Sequence, residues 1–208
     1  MAALKADKAE LVLLGKIYKE TVFFIIMKPI YKLIKQKTYC CFPACISMIL
    51  DRRKIRHAPQ EEIGYYLGLI VPKEKAHLFT KVRTGRKPPA GYGTRVGKKK
   101  YSINNYFSKN KIKLKAKYYP LEKIISVKKF ITEYLKNNND IIVLFNNKKL
   151  FGTGNYGHTS LIHNIKNDII TLIDPKLPRK RKVKLSKLIC TIKSHGKKKG
   201  GGFYLVSG

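Results

Sequence analysis

An α+β domain is the fold class that this sequence predicts. Patterns of helical spacing occupy the first part of the chain, and short runs of branched residues parted by Asn, Gly and Lys occupy the last third. Helices thus precede strands rather than alternating with them, which argues against a parallel α/β fold. With 208 residues, 44% of them apolar and including 13 Tyr and 9 Phe, the chain holds enough material for one substantial core.

The elements follow in order. Residues 3–20 read as a helix, since Leu11, Leu14, Ile17 and Tyr18 recur at helical spacing among Lys and Glu, and Val22 to Met27 form a strand or buried segment that Pro29 ends. Residues 1–28 therefore read as an N-terminal helical extension and 29–208 as the domain proper. Pro43 opens a helix through Ala44, Ile46, Met48, Ile49 and Leu50, because a first-position proline lacks only an N–H that would have had no partner. Pro59 to Leu67 repeats that design, with Glu61 and Glu62 favouring the helix dipole in the first turn. From 81 to 101 the chain is rich in Gly, Pro and Lys and reads as a basic loop. Ser102 caps a short helix through Phe107, Ile112 to Tyr119 alternates as a strand does, and Leu121 to Leu135 is helical by its spacing. Strands are expected at Asp140 to Phe145, Thr159 to Ile165 and Ile169 to Ile173, with Phe203 to Val206 closing the sheet.

Charge and cysteine usage bound the function. Against 45 Lys and Arg stand 12 Asp and Glu, a net of +33 that compositional drift or a polyanionic partner (nucleic acid, acidic protein or anionic membrane) explains equally well. The tracts Lys98–Lys100, Arg179–Lys182 and Lys197–Lys199 fall in predicted loops, and no defined nucleic-acid motif accompanies them. The apolar run Thr21–Met27 is bounded by lysines, so no transmembrane span is expected, and the mixed charges before it do not resemble a signal peptide. Four cysteines, three of them clustered at Cys40, Cys41 and Cys45 and the fourth at Cys190, fit neither a disulfide scaffold nor paired zinc ligands. Reduced thiols and a cytoplasmic setting are expected.

A reactive thiol needs a lowered pKa, some exposure and a base within reach. Cys41, two residues before Pro43, lies at or just before a helix N-terminus, where free N–H groups and the dipole stabilise a thiolate. Cys45, about a turn further on, reads as a small buried hydrophobe. Cys40 stays open as an alternative nucleophile on spacing alone. Of the histidines His57, His77, His158, His163 and His195, only His158 follows a flexible Gly-rich run and opens a strand. Downstream, Asp174-Pro175 ends the next strand and leaves a carboxylate at its tip. A hairpin turn centred on Lys166 makes His158 and Asp174 direct cross-strand partners on one face.

These residues carry a resemblance. Gln36-Lys-Thr-Tyr-Cys-Cys-Phe-Pro-Ala-Cys45, then Gly157-His158-Thr159, then Leu172-Ile-Asp174-Pro175, resemble the bacteriocin-processing cysteine peptidases that cut after double-glycine leaders, and their stand-alone papain-like relatives. The resemblance implies a papain-like fold in which the nucleophile heads a helix packed on an antiparallel sheet. It also implies Cys41 as nucleophile, His158 as general base, Asp174 as its orienting partner, and Gln36 as an oxyanion-hole donor beside the Cys41 N–H. The chain departs from the family in four places. Cys40 stands where an acidic residue is usual, Gln36 is one residue close to the nucleophile, and a long basic loop is inserted. Phe42 replaces a Gly and is large enough to crowd the substrate groove. Two readings follow: a cysteine peptidase or related thiol acyl hydrolase acting on a peptide or protein with no metal or organic cofactor, or an inactive module of the same fold that binds a polyanion.

Overall fold

At the centre of the fold stands helix α1 (Cys41–Arg52), every residue of which from Phe42 to Leu50 is buried. A helix apolar on all sides needs covering on all sides. Beneath it lies an antiparallel sheet, and against it pack α2 (Gln60–Tyr66) and α3 (Ile103–Lys109). The computed structural model describes residues 30–78 and 93–208. The helix and strand expected over 3–27, and most of the basic loop, lie outside the described residues.

The sheet is built from β1 (Lys115–Pro120), β2 (Asp140–Asn146), β3 (Gly157–Lys166), β4 (Ile169–Asp174), β5 (Arg179–Lys184) and β6 (Gly202–Ser207). Its order is β1-β6-β2-β3-β4-β5, with every neighbouring pair antiparallel. Strand alternation sorts the side chains into two cores. Ile142, Leu161, Ile173, Tyr204 and Val206 join α1, α2 and α3 on one face. Ile141, Val143, Phe145, Ile162, Leu172, Phe203 and Leu205 join α4 (Val127–Lys136) and α6 (Leu185–His195) on the other, with the short α5 (Asn147–Phe151) adding Leu150. In α4 the spacing of Val127, Ile131 and Leu135 gives one apolar stripe. Burying each such side chain contributes about 1.5–3 kcal/mol.

The α+β class and the helix-on-sheet arrangement are as expected, and four expectations need correction. Helix α1 begins at Cys41 rather than at Pro43; proline is tolerated at the third position because the first four N–H groups have no intrahelical acceptor. The stretch Leu121 to Leu135 divides into a 3-10 turn, Leu121–Lys123, and α4, because Ser126 caps a new helix by accepting the Lys129 N–H at 3.4 Å. The basic tract from Arg179 is not a loop but edge strand β5, where a row of Lys and Arg discourages pairing with another chain. Strand β6 lies inside the sheet, between β1 and β2. Among the described residues no helix is long and apolar enough to cross a membrane.

Candidate active site

The nucleophile candidate is set by a turn. Cys40 N–H bonds the Lys37 carbonyl at 2.9 Å, with Tyr39 in the left-handed region at φ 61°. A non-glycine residue there is strained by about 1 kcal/mol or more, and such strain gathers at functional sites. Its consequence here is that the chain reverses at once into α1, with Cys40 as N-cap and Cys41 as first residue.

The three clustered thiols then have different surroundings. Cys41 is half-buried, while Cys40 and Cys45 are fully buried. Burial pushes the Cys40 and Cys45 thiols well above the ordinary range. Burial works against the Cys41 thiolate too, yet its pKa is lowered, because a hydrogen bond to His158 and the charge on that ring outweigh it and Thr159 adds to the effect. Of the two thiols that spacing alone left open, Cys41 is thus the one whose surroundings favour the thiolate.

His158 is the second residue of β3, directly across from Phe145, whose ring meets the imidazole edge-on at 5.7 Å and 86°. Its Nε2 bonds Asp174 Oδ1 at 2.8 Å. With Nε2 so engaged, Nδ1 is the nitrogen left for Cys41. The ring is held protonated, its pKa pushed up to about 9: burial opposes this, but Asp174 and Cys41 together prevail. Immediately before it, Gly157 passes so close to the His195 ring that an added Cβ would lie 2.6 Å from Cε1, so a larger residue there would displace that ring.

The expected direct cross-strand pairing of His158 with Asp174 is not what the sheet contains. Asn167 and Asp168, both at positive φ (48° and 59°), form the hairpin turn, and Lys166 faces Ile169. Uninterrupted, that register would set Asp174 across from Leu161, on the opposite face from His158. A slip at His163 changes this, so that Leu161 faces Ile173. Asp174 is thereby brought across from Ser160, diagonal to His158 and on its side of the sheet. The bulge is what makes the His–Asp contact possible.

Asp174 is buried and fully engaged. Oδ1 also accepts the Lys176 N–H at 3.0 Å, and Oδ2 accepts Arg181 Nη1 at 3.0 Å. Burial raises its pKa, but His158, Arg181 and the Lys176 N–H hold it below the ordinary carboxylate range. Gln36 is joined to the same corner by its N–H, which bonds the Pro175 carbonyl at 2.8 Å. The Gln60 side-chain amide straddles it, accepting the Lys37 N–H at 2.8 Å and donating to the Lys35 carbonyl at 3.0 Å, while the Lys37 ammonium pairs with buried Glu61. Gln36 Oε1 is buried with no hydrogen-bond partner among the described residues. Phe42 does not crowd a groove: its ring turns into the core and meets Tyr204 edge-on at 5.1 Å.

Arg181, Gln60 and Thr159 were not legible as site residues. Arg181 sits in a tract that reads as solvated charge, and only the alternation leading to Val183 marks it as strand. Gln60 reads as a helix-opening polar residue, and Thr159 as one of several branched strand residues.

No protein-family model matches the chain, and no curated protein does. Among solved structures, the chain is similar to a Bacillus anthracis protein described as a C39-like peptidase, at 10% identity and a TM-score of 0.53, over 85% of this chain and 94% of that one. A double-glycine-motif protease from a transporter, crystallised with its leader peptide, matches at 16% identity and a TM-score of 0.44 over 86% and 91%. The first of these likenesses carries the fold, which is that of the C39-like peptidases.

Proposed function

We propose that this protein is a cysteine peptidase in which Cys41, His158 and Asp174 act as a triad and Gln36 completes the oxyanion hole. The observation that supports this most is a single imidazole joined on one side to the one cluster thiol with a lowered pKa and on the other, at 2.8 Å, to a buried carboxylate. Helix position adds to it, since Cys41 is the first residue of α1, at the end where the N–H groups lack intrahelical acceptors.

The chemistry follows from those roles. The Cys41 thiolate attacks the carbonyl carbon of a bound peptide, and the electron pair displaced onto oxygen is stabilised by the Cys41 N–H and Gln36. Collapse of that intermediate breaks the C–N bond while the His158 imidazolium donates its proton to the leaving amine. Neutral His158 then takes a proton from water, which attacks the thioester; C–S cleavage frees the acid and restores the Cys41 thiolate beside the His158 imidazolium. Asp174 holds the ring in the tautomer that each transfer needs.

Labelling with a peptidyl vinyl sulfone tests the proposal. Mass spectrometry is expected to find the adduct on Cys41, with Cys40→Ala and Cys45→Ala still labelled and Cys41→Ala and His158→Ala not. An adduct on Cys40 or Cys190 in the wild-type chain, or peptide turnover retained by Cys41→Ala, would overturn it.

A further inference from the structure

The outer side of the Asp174 carboxylate is covered by a residue from the edge strand. Arg181 stands across from Leu172 on β5, so it is diagonal to Asp174 and on the same face, and its Nη1 donates to Oδ2 at 3.0 Å. The Arg181 side chain is 25% exposed where that of Asp174 is 1% exposed, which places the guanidinium between the carboxylate and water. It is itself held: its Cζ lies 3.3 Å from the centre of the Phe151 ring. Phe151 meets Phe145 edge-on at 5.7 Å, and Phe145 meets His158 in the same way. Contacts therefore run in a closed circuit from His158 through Asp174, Arg181, Phe151 and Phe145 back to His158.

We propose that Arg181 is a positioning residue of this site: it fixes the second oxygen of Asp174 and supplies the permanent positive charge on which the Cys41–His158–Asp174 chain ends. This rests on the triad reading above. In the reactive state the four groups are thiolate, imidazolium, carboxylate and guanidinium, alternating in sign and summing to zero, so a buried net charge is avoided. Without Arg181 the imidazolium would be the sole counter-charge of a buried carboxylate and would hold its proton more tightly. That makes it a poorer acid toward the leaving amine. A guanidinium does not titrate, so its contribution is constant over the working range. The other groups near His158 are Cys41 on α1, His195 of α6 against Gly157, and Lys176, whose ammonium bonds the Tyr156 hydroxyl at 2.7 Å. All of them persist when Arg181 is replaced.

The test follows the His158 ring directly, by NMR of the full chain with isotope-labelled histidine, titrated for wild type, Arg181→Met and Arg181→Lys. In Arg181→Met the His158 midpoint is expected to rise by roughly one pH unit, the size expected for losing a cation across a shared, partly screened carboxylate. Arg181→Lys, which keeps the charge, is expected to stay within about 0.3 unit of wild type. Peptide kcat at neutral pH should fall about tenfold in Arg181→Met with KM nearly unchanged, and Arg181→Lys should recover most of it. A midpoint in Arg181→Met equal to or below that of wild type, or an equal displacement in both variants, would overturn the proposal. Because the titration needs no turnover, a wild-type chain that cleaves nothing would sink the peptidase reading and leave this result to stand or fall separately.

Discussion

Two aspartates of the described residues are buried, Asp140 at the head of β2 and Asp174 at the end of β4, and both are held by arginine. Asp140 accepts hydrogen bonds from the Tyr31 hydroxyl at 2.6 Å and Arg53 Nε at 2.7 Å, and forms an ion pair with Arg52 Nε at 3.2 Å. None of these partners changes charge near neutral pH. Burial and the adjacent carboxylate push the Tyr31 hydroxyl well above its ordinary range, and guanidinium groups do not deprotonate. Asp174 has the same burial and one arginine, but its third partner is an imidazole that passes its influence to a thiol. Burial and ion pairing therefore mark a lock at one end of α1 and a site at the other. The distinguishing feature is a partner that titrates, with a nucleophile beyond it.

Matched substitutions separate the roles of the two aspartates. Asp174→Asn keeps the shape and removes the charge, so peptide turnover is expected to fall about 10³–10⁴-fold through loss of the correct tautomer and of the imidazolium's stabilisation. Asp140→Asn should do the opposite. It leaves Arg52 and Arg53 without their counter-charge and is expected to cost about 3–5 kcal/mol in urea unfolding, with the alkylation rate of Cys41 per folded molecule unchanged. An Asp140→Asn chain that is folded by circular dichroism yet has an inert Cys41, or an Asp174→Asn chain with full turnover, would dissolve the distinction.

Much of this contrast is legible in sequence on the Asp174 side and none of it on the Asp140 side. Gly157-His158 and Asp174-Pro175 announce themselves because a flexible run opens one strand and a proline ends the next. Strands β2, β3, β4 and β6 are legible for a related reason, since their branched runs are bounded by turn residues. The Asp140 lock has no local signature, because Tyr31, Arg52 and Arg53 reach it from segments remote in the chain. Strand β5 is hidden because only Val183 of its residues joins the core, so the binary pattern is nearly absent. The register slip at His163 also escapes reading: nothing about a histidine between Ile162 and Asn164 demands a bulge, and that one residue decides whether His158 and Asp174 share a face.

A smaller effect sharpens what the titrating partner does. Burial is the largest influence on the Cys41 thiol and raises its pKa, while the His158 hydrogen bond and charge lower it below the ordinary value of 9. Removing the ring leaves burial in command, so in His158→Ala the acid limb of Cys41 alkylation is expected to move above about pH 9, leaving roughly 1% or less thiolate at pH 7. Iodoacetamide rates measured from pH 5 to 10, with exposed Cys190 as the internal reference, read this directly. In the wild type the thiolate–imidazolium pair should persist up to about pH 9, where His158 loses its proton. The same profile in Asp140→Asn should match wild type, and a displaced limb there would show that the two aspartates are electrostatically coupled after all.

The smallest expected effect separates thiol activation from oxyanion stabilisation. Gln36 bonds Pro175 through its own N–H, its neighbours Lys35 and Lys37 are held by the two arms of the Gln60 amide, and neither Gln36 nor Gln60 figures among the influences on the Cys41 pKa. Gln60→Leu removes two hydrogen bonds to the Lys35–Lys37 backbone while keeping the size of the side chain. It is expected to let Gln36 drift and to lower kcat about tenfold, less than the roughly 10²–10³-fold typical of deleting an oxyanion donor outright. Alkylation of Cys41 by iodoacetamide passes through no tetrahedral oxyanion, so its rate and pH profile should stay at wild-type values. Gln36→Ala should show the same split with the larger loss. Equal losses of alkylation and turnover in Gln60→Leu would mean that the clamp supports the whole corner, Cys41 included, and that the oxyanion side of the site is not built separately from the triad.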